Sequence, residues 1–260
     1  MNRLLPEVRR VRRDTRMRRV DVCRVTRVSP HIVSVTFTGP ELADFASDGF
    51  DDHVKFVVPT PGQALVLPVP TPDGPRMPDG LPRPPMRDYT PRRFDAAALE
   101  LDIEFALHGD GLAATWAAQA APGQQAGIGG PRGSFIVPTD FDTHLLVGDE
   151  TALPAIARRL EELPAGVRAV VVLAVDPADR RPLPSRADVT LHWVAPDALV
   201  DTVRALPRPD GLTYGWGGGE ARAIGAVRQA MVEQLGVDPA YCRCAAYWKQ
   251  GAVAHHESLG

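Results

Sequence analysis

The chain has few cysteines, with only Cys23, Cys242 and Cys244 among 260 residues. An odd, sparse set argues against a disulfide framework and favours a reducing, cytoplasmic compartment. It also argues against an iron–sulfur cluster, which needs a larger set of cysteine ligands. Cys242 and Cys244 alternate as neighbours on one face of a buried strand would. Because no second pair accompanies them, we expect no bound metal.

Long apolar runs and several catalytic patterns are also absent. No stretch of about 18 apolar residues occurs, so no membrane span is expected, and the first residues lack the apolar segment of a secretory signal. The net charge of -3 gives no reason to expect a nucleic-acid partner. The GxSxG, HExxH and CxxC patterns are missing, which disfavours a nucleophilic hydrolase and a zinc enzyme.

Positive charge is concentrated at the start of the chain, where the first twenty residues include eight arginines. Such runs occur in arms that bind nucleic acid or membranes. The simpler interpretation is a solvated basic leader, residues 1–17, that continues into a first strand.

The N-terminal half has the pattern of antiparallel strands. Short apolar or β-branched segments, separated by turn residues, predict strands at 20–28, 32–38, 53–58, 101–107 and 127–129. Short strands in succession favour a β-barrel, which we place at residues 18–138 and expect to have six strands. The segment 59–85 is rich in Pro and Gly and is expected to be a loop within this domain.

The pattern changes near residue 140. Apolar strands are predicted at 144–148, 167–175, 190–194, 212–216 and 241–248, with helices at 152–163, 198–205 and 221–235. Alternating strands and helices predict a parallel, Rossmann-like α/β domain over residues 140–260. Such a sheet binds a nucleotide at the carboxyl ends of its strands.

The segment MRDYTPRR, residues 86–93, combines three groups suited to a flavin dinucleotide. On an extended strand Arg87 and Tyr89 face the same side, with the Thr90 hydroxyl beside them. An arginine fork suits a diphosphate, and a tyrosine ring can lie on a flat heteroaromatic system. A hydroxyl can hydrogen-bond a ring nitrogen. The segment therefore predicts a flavin site.

Two glycine-containing turns add candidate sites. The turn after His108 leads into small residues that begin a helix, and helix amino ends suit phosphate. A strand-end histidine satisfied locally is the alternative. The segment 148–154 also links a strand to a helix, where Asp149 or Thr151 would cap the helix or contact a ligand.

Two further segments lie at the ends of predicted strands. Gly217, Gly218 and Gly219 would give a bare backbone that a second nucleotide could approach, although no GxGxxG fingerprint is present. Tyr247 and Trp248 end the last strand, where they either stack on a flat cofactor or pack in the core.

Taken in order, these segments resemble the siderophore-interacting proteins, which are flavin-dependent ferric-siderophore reductases of the ferredoxin reductase-like superfamily. The resemblance extends over most of the chain, from about residue 20 to residue 251, and includes RDYTPRRFD, HGDGLAATWAAQAAPGQQAGIGGPRGSF, LLVGDETALPAIARRLEELP, YGWGGGEARAIGAVRQ and YWKQG.

The resemblance implies residues for each ligand. Non-covalent FAD would have Arg87 at its phosphates, Tyr89 on its isoalloxazine and Thr90 near N5. The remaining FAD residues would be Asp88, Arg92, His108, Gly111, Ala113, Thr115, Trp116, Asp149, Glu150, Thr151, Ala152, Tyr247 and Trp248. The nicotinamide nucleotide, NADH or NADPH, would lie at the turn formed by Gly217, Gly218, Gly219 and Glu220.

A basic patch would attract an anionic ferric siderophore, with ordinary surface charge as the alternative. Its members would be Lys55, Arg92, Arg93 and Lys249. Electrons would pass from NAD(P)H, or from ferredoxin as another candidate donor, through FAD in a crevice between the two domains to Fe(III). The product would be Fe(II) for iron acquisition.

A monomer with neither nucleic acid nor membrane as a partner is expected. Two other functions stay open at this point. One is a general NAD(P)H–flavin oxidoreductase of the diaphorase type, and the other is a non-enzymatic flavin or siderophore carrier.

Overall fold

A computed structural model describes residues 5–59, 62–69, 71, 75–107, 111–251 and, for the backbone, 257–258. The chain divides into two compact units, the first formed by Arg9–Ile136 and the second beginning at Val137. Within the described ranges no helix has the length and apolarity needed to cross a membrane.

The first unit is built from antiparallel strands. They are β1 (Arg9–Arg12), β2 (Met17–Ser29), β3 (Ile32–Thr38), β4 (Val54–Val57), β5 (Met86–Tyr89), β6 (Arg93–Asp95), β7 (Glu100–Ala106), β8 (Gln125–Gly129) and β9 (Gly133–Ile136). β1 pairs with β9, and the other seven strands form one sheet in the order β5-β4-β8-β2-β3-β7-β6.

The expected count of six strands is therefore wrong, because this sheet has seven. The two short outer strands β5 and β6 were not among the strands predicted from apolar pattern. Their sequences, MRDY and RFD, are mostly polar. Backbone pairing with β4 and β7 holds them in the sheet instead. Among the described residues of the expected loop 59–85, one isolated antiparallel bridge pairs Val69 with Arg76.

The core of the first unit comes from alternating strand positions. In β7, Leu101, Ile103 and Phe105 point inward and are fully buried, while the residues between them are partly exposed. A short helix, α1 (Leu112–Ala118), packs Ala113 and Ala117 onto the same core. Each large apolar side chain buried in this way contributes roughly 1.5–3 kcal/mol.

The second unit is an α/β sheet. Its elements are β10 (Thr143–Asp149), α2 (Leu153–Glu162), β11 (Arg168–Ala174), β12 (Asp188–Val194), α3 (Leu199–Ala205), β13 (Thr213–Glu220), α4 (Ala221–Gln229), β14 (Cys242–Trp248) and β15 (Glu257–Ser258). The order is β12-β11-β10-β13-β14-β15, and all neighbours except β14 and β15 are parallel. The predicted parallel sheet is confirmed.

Every residue of β10 is buried, as expected for a central strand of a parallel sheet. The carboxyl ends of β10, β13 and β14 meet at one edge, because these three strands are neighbours and parallel. Two predicted boundaries are wrong. β13 continues to Glu220, and the helix expected over 221–235 is α-helical only to Gln229, after which Ala230–Gln234 form a π-helical turn.

Candidate functional site

The edge strand β5 places Arg87 and Tyr89 on the same face. The Tyr89 ring contacts Phe105, with ring centroids 4.4 Å apart, and meets Phe56 edge-on at 6.0 Å. Burial raises the pKa of Tyr89 above its usual range, although the charge of nearby Arg87 acts in the opposite direction. Arg87 donates to the Met86 carbonyl across 2.9 Å. No acidic partner for Arg87 occurs among the described residues.

Asp88 lies on the opposite face of β5, directly across from Lys55 in β4. The Lys55 ammonium lies 2.7 Å from Oδ2 of Asp88. The other carboxylate oxygen, Oδ1, is buried and has no hydrogen-bond partner within the described part of the chain. Thr90, two residues after Asp88, is also buried. The Asp88 carboxylate therefore partly balances the charge of Lys55.

The two arginines that follow are paired with acidic residues. Nε of Arg92 lies 3.5 Å from the Glu104 carboxylate, and both side chains are largely buried. Arg93 is half exposed and contacts Asp95 at 2.8 Å and Asp102 at 3.5 Å. These pairs reduce the positive charge that the two arginines would contribute to a basic patch.

Gly111 is the N-cap residue of α1, and among the described residues no side chain caps the amino end of this helix. Among the described residues, a Cβ atom at Gly111 would meet Ala114 alone, at 3.9 Å. Ala113 is buried against the core, whereas Thr115 is exposed. His108 lies outside the described residues. Uncapped N–H groups at a helix start suit an anion such as phosphate.

Trp116 packs into the core of the first unit. Its ring stacks on Phe37 at 6.1 Å with an interplanar angle of 13°, and it lies 4.8 Å from Phe56. Phe56 is also the ring that Tyr89 meets. Trp116 therefore supports the aromatic residues beneath β5, and a contact with FAD stays a prediction for it.

Asp149 is the centre of the candidate site in the second unit. Its Oδ1 accepts from the backbone N–H and the hydroxyl of Thr151, at 2.9 and 2.5 Å. Its Oδ2 accepts from the Glu220 backbone N–H at 3.0 Å and from the Trp248 indole at 2.8 Å. Burial, together with the charge of Glu150, raises the pKa of Asp149 to about 6 despite these hydrogen bonds. One carboxylate thus joins the ends of three strands.

Close packing leaves no room for a side chain at Gly217, Gly218 and Gly219 in β13. A Cβ atom at Gly217 would lie 3.0 Å from the Cys244 sulfur, and one at Gly218 would lie 2.8 Å from the Trp216 ring. At Gly219 it would lie 2.5 Å from Oδ2 of Asp149, and the backbone φ is +147°. The expectation that these glycines form an open turn is wrong, because they are buried in a strand.

The remaining predicted residues divide into buried and exposed groups. Glu220 caps α4, accepting from the N–H groups of Arg222 and Ala223 at 2.7 and 3.1 Å. Ala152 is fully buried at the start of α2. Tyr247 packs edge-on against Trp216 at 6.3 Å, whereas Trp248 and Lys249 are exposed. The amino end of α4 is therefore occupied by a carboxylate.

Phe56 and Phe105, which hold Tyr89, were not singled out from the sequence. Alternation along β4 and β7 identifies both as core residues, but their contact with Tyr89 depends on how the strands are arranged. A buried carboxylate was also missed. Asp52 accepts from the Ser134 and Ser47 hydroxyls at 2.6 and 3.0 Å, and it fixes the turn near β9.

Comparison with known proteins identifies both parts of the chain. Residues 21–135 match the model of the siderophore-interacting FAD-binding domain, and residues 141–251 match that of the siderophore-interacting protein. An NADPH-dependent ferric-chelate reductase of Escherichia coli is 39% identical over 92% of this chain and 95% of its own length. A ferric vibriobactin reductase of Vibrio cholerae is 30% identical over 92% and 93%.

Solved structures agree with these matches. A siderophore utilization protein from T. fusca has a TM-score of 0.86 and 35% identity, covering 96% of this chain and 98% of that one. Phthalate dioxygenase reductase shares the fold at a TM-score of 0.59 and 16% identity, covering 88% of this chain and 68% of its own. The resemblance inferred from the sequence is confirmed, and the chain belongs to the siderophore-interacting protein family.

Proposed function

We propose that this chain is a FAD-dependent ferric-siderophore reductase that takes electrons from NADPH and delivers them to Fe(III). The observation that carries the proposal is the arrangement of Arg87 and Tyr89 on one face of β5, with Arg87 unpaired by any acidic residue among those described. The relatives named as ferric-chelate and ferric vibriobactin reductases support the same activity.

The residues of the first unit fit FAD. The Arg87 guanidinium would hold the diphosphate, and Tyr89 would present its ring to the isoalloxazine. Asp88 lies on the opposite face of β5, so its part would be indirect, through its ion pair with Lys55. The open N–H groups after Gly111 would bind a phosphate. The Thr90 hydroxyl would lie near N5 of the isoalloxazine ring.

When bound, FAD would supply the redox chemistry, accepting a hydride and returning electrons singly, which no side chain of this protein can do. The protein residues would bind FAD, orient it and shield it from solvent. Tyr89 remains a neutral phenol because burial raises its pKa, and Arg87 keeps its positive charge near the phosphates. Reduction frees the metal because hard oxygen ligands hold Fe(II) less tightly than Fe(III).

We propose the carboxyl edge of the parallel sheet as the binding side for the electron donor. Asp149 fixes Trp248 and Thr151 there, and the exposed Trp248 ring offers a stacking surface. Gly217, Gly218 and Gly219 would contribute to this binding side by letting β13 pack closely against its neighbours. Glu220 would contribute by capping α4. NADH and ferredoxin are the alternative donors that the experiment below compares.

We propose that exposed ammonium groups attract the ferric siderophore, namely Lys55 in the first unit, whose charge Asp88 partly balances, and Lys249 in the second. Arg93 would contribute less, because Asp95 and Asp102 already pair with it. Arg92 would contribute least, since it is largely buried beside Glu104.

We also infer that the seven-stranded sheet closes into a barrel. Tyr89 on the edge strand β5 contacts Phe105 on β7, which lies next to the opposite edge strand in the sheet order. Residues 18–138 would then be the FAD-binding domain, and residues 140–260 the donor-binding domain. We expect the enzyme to act as a monomer.

The test is an anaerobic assay of the FAD-loaded chain. NADPH, NADH or reduced ferredoxin would be supplied with ferric siderophores, free flavin or oxidised ferredoxin as acceptor, and Fe(II) would be trapped with a chromogenic chelator. We expect the fastest turnover with NADPH and a ferric siderophore. Faster turnover with free flavin or ferredoxin would indicate a diaphorase. Flavin binding without turnover would indicate a carrier, and either result would overturn the proposal.

A further inference from the structure

Three sulfur atoms lie together in the second unit, on the side of β14 that faces α4 and the turn after it. Cys242 and Cys244 are the first and third residues of β14, so their side chains share one face of the strand. Interaction between the two thiols lowers the pKa of Cys242 and raises the pKa of Cys244. Met231 contacts the first of them, with Sδ 4.0 Å from Sγ of Cys242. All three residues are buried. We call them the three-sulfur group.

The neighbouring strand leaves this group without competing side chains. In the sheet register, Gly215 lies beside Cys242 and Gly217 beside Cys244. A Cβ atom at Gly215 would lie 3.2 Å from Sδ of Met231 and 3.6 Å from Sγ of Cys242. A Cβ atom at Gly217 would lie 3.0 Å from Sγ of Cys244. At Gly215 the Met231 sulfur shares the shortest distance with Cγ1 of Val237, also 3.2 Å, and at Gly217 the Cys244 sulfur is the nearest atom among the described residues.

The helix that supplies Met231 is irregular at that point. α4 ends at Gln229, and Met231 belongs to the π-helical turn Ala230–Gln234. A π-helical turn is rare and is frequently found at functional sites. The positive charge of Arg228, one residue before the end of α4, acts to lower the pKa of both cysteines.

We propose that the three-sulfur group is a binding site for a soft monovalent metal ion, Cu(I). Two thiolates and a thioether are the ligands that select Cu(I) over harder ions. Three sulfur atoms bound about 2.3 Å from one ion, the usual length of a metal–thiolate bond, lie about 4 Å apart. The observed distance between Cys242 and Met231 matches that spacing. Structural zinc sites use four ligands, and this group offers three.

Charge and protons balance in the proposed binding step. The two S–H bonds break as two Cu–S bonds form, two protons pass to solvent, and the metal keeps its oxidation state. The product, one Cu(I) with two thiolates and a neutral thioether, carries one negative charge. The positive charge of Arg228 offsets it, which a buried ion requires.

The test is an anaerobic titration of the full chain with Cu(I) against a chromophoric Cu(I) chelator. The third cysteine gives a matched control, because Cys23 is a partly exposed thiol in the first unit. We expect one Cu(I) per chain in the unmodified protein and in Cys23→Ser. Cys242→Ser and Cys244→Ala should each weaken retention at least a hundredfold. Met231→Leu, which conserves volume, should weaken it about tenfold.

X-ray absorption on the unmodified copper-loaded chain keeps the test independent of how the variants fold. Three sulfur ligands would support the site, and a Cu(I)-dependent rise in melting temperature should accompany them. The proposal is overturned if Cu(I) is lost to the chelator, if its ligands are nitrogen or oxygen, or if binding follows Cys23. An unchanged affinity in Met231→Leu would also overturn it. None of these outcomes depends on ferric-siderophore reduction.

Discussion

The indole N–H of Trp248 donates to Oδ2 of the buried Asp149 across 2.8 Å. The same oxygen accepts from the Glu220 backbone, so one carboxylate fixes an exposed aromatic ring and the end of β13 together. Because the sequence separates Asp149 from Trp248 by most of the second unit, the pairing is a product of the parallel sheet order. We therefore expect the environment of the Trp248 indole to depend on the ionisation of Asp149.

Asp149→Asn should flatten the dependence of folding stability on pH. The pKa of Asp149 is about 6 in the folded protein and 3.8 in a model peptide. The folded state therefore binds more protons between these values, and stability falls as the pH rises through that window, by on the order of 2–3 kcal/mol. Urea unfolding between about pH 4 and about pH 8 measures this pH dependence of the free energy of unfolding. Asp188→Asn, at an exposed aspartate, is the control, and equal pH slopes in Asp149→Asn and the wild type would refute the assignment.

A second readout follows Trp248 directly. The chain has four tryptophans, so an NMR spectrum of ¹⁵N-labelled indoles should show four resonances. We expect the one that disappears in Trp248→Phe to shift with an apparent midpoint near pH 6, because its hydrogen-bond acceptor titrates there. A Trp248 resonance that is constant from about pH 4 to about pH 8 would contradict the coupling.

Gly219→Ala should destabilise the protein by about 1–3 kcal/mol. The added Cβ would lie 2.5 Å from Oδ2 of Asp149, and the φ of +147° is unfavourable for alanine. Gly225→Ala is the matched control, because outside the backbone of α4 no atom of the described residues lies within 4 Å of its Cβ position. There the change should stabilise by up to about 1 kcal/mol. Chemical unfolding of both variants measures the contrast, and equal effects would show that the packing account is incorrect.

The sequence predicted the regular parts of the fold well, because their apolar patterns are local. β3 was predicted with its observed bounds, and the parallel sheet followed from alternating strands and helices. The short strand β6 was missed because its residues are polar and pair through the backbone. The burial of Gly217, Gly218 and Gly219 could not be read locally, since it depends on Cys244, Trp216 and Asp149.

The candidate site was predictable to a similar extent. The motif at Arg87 and Tyr89 follows from strand alternation, which the structure reproduces in β5. The pairing of Lys55 with Asp88 depends on the register of β4 and β5, and no local signal sets that register. Trp116 was assigned to the cofactor through the family resemblance, and its stacking on Phe37 depends on contacts that no local pattern indicates.

Trp116→Ala should destabilise the first unit by about 3–5 kcal/mol, because it removes a large ring from contact with Phe37 and Phe56. Trp116→Phe should retain most of that stability. Thr115→Ala, at the exposed neighbouring position, should change it by less than about 0.5 kcal/mol. Thermal and urea unfolding test this order. If Trp116→Ala were as stable as Thr115→Ala, the placement of the ring in the core would be untenable.

Lys55→Gln should raise KM for an anionic ferric siderophore about threefold to tenfold at low salt, with kcat unchanged. The rise should shrink as salt is added, because exposed charges are screened, and KM for a neutral chelate should stay the same. Arg27→Gln removes an exposed positive charge from β2 of the same sheet and serves as the control. Equal effects of the two variants would indicate a general charge effect and not a patch at Lys55.

The central claim is that Arg87 holds FAD, and the FAD content of purified variants tests it most directly. The wild-type chain should bind about one FAD, and Arg87→Ala should bind it at least tenfold more weakly because a charge-assisted phosphate contact is lost. Arg24→Ala, at an exposed arginine paired with Glu100 in the same sheet, should bind FAD like the wild type. Equal FAD affinity in the wild type and Arg87→Ala would contradict the account.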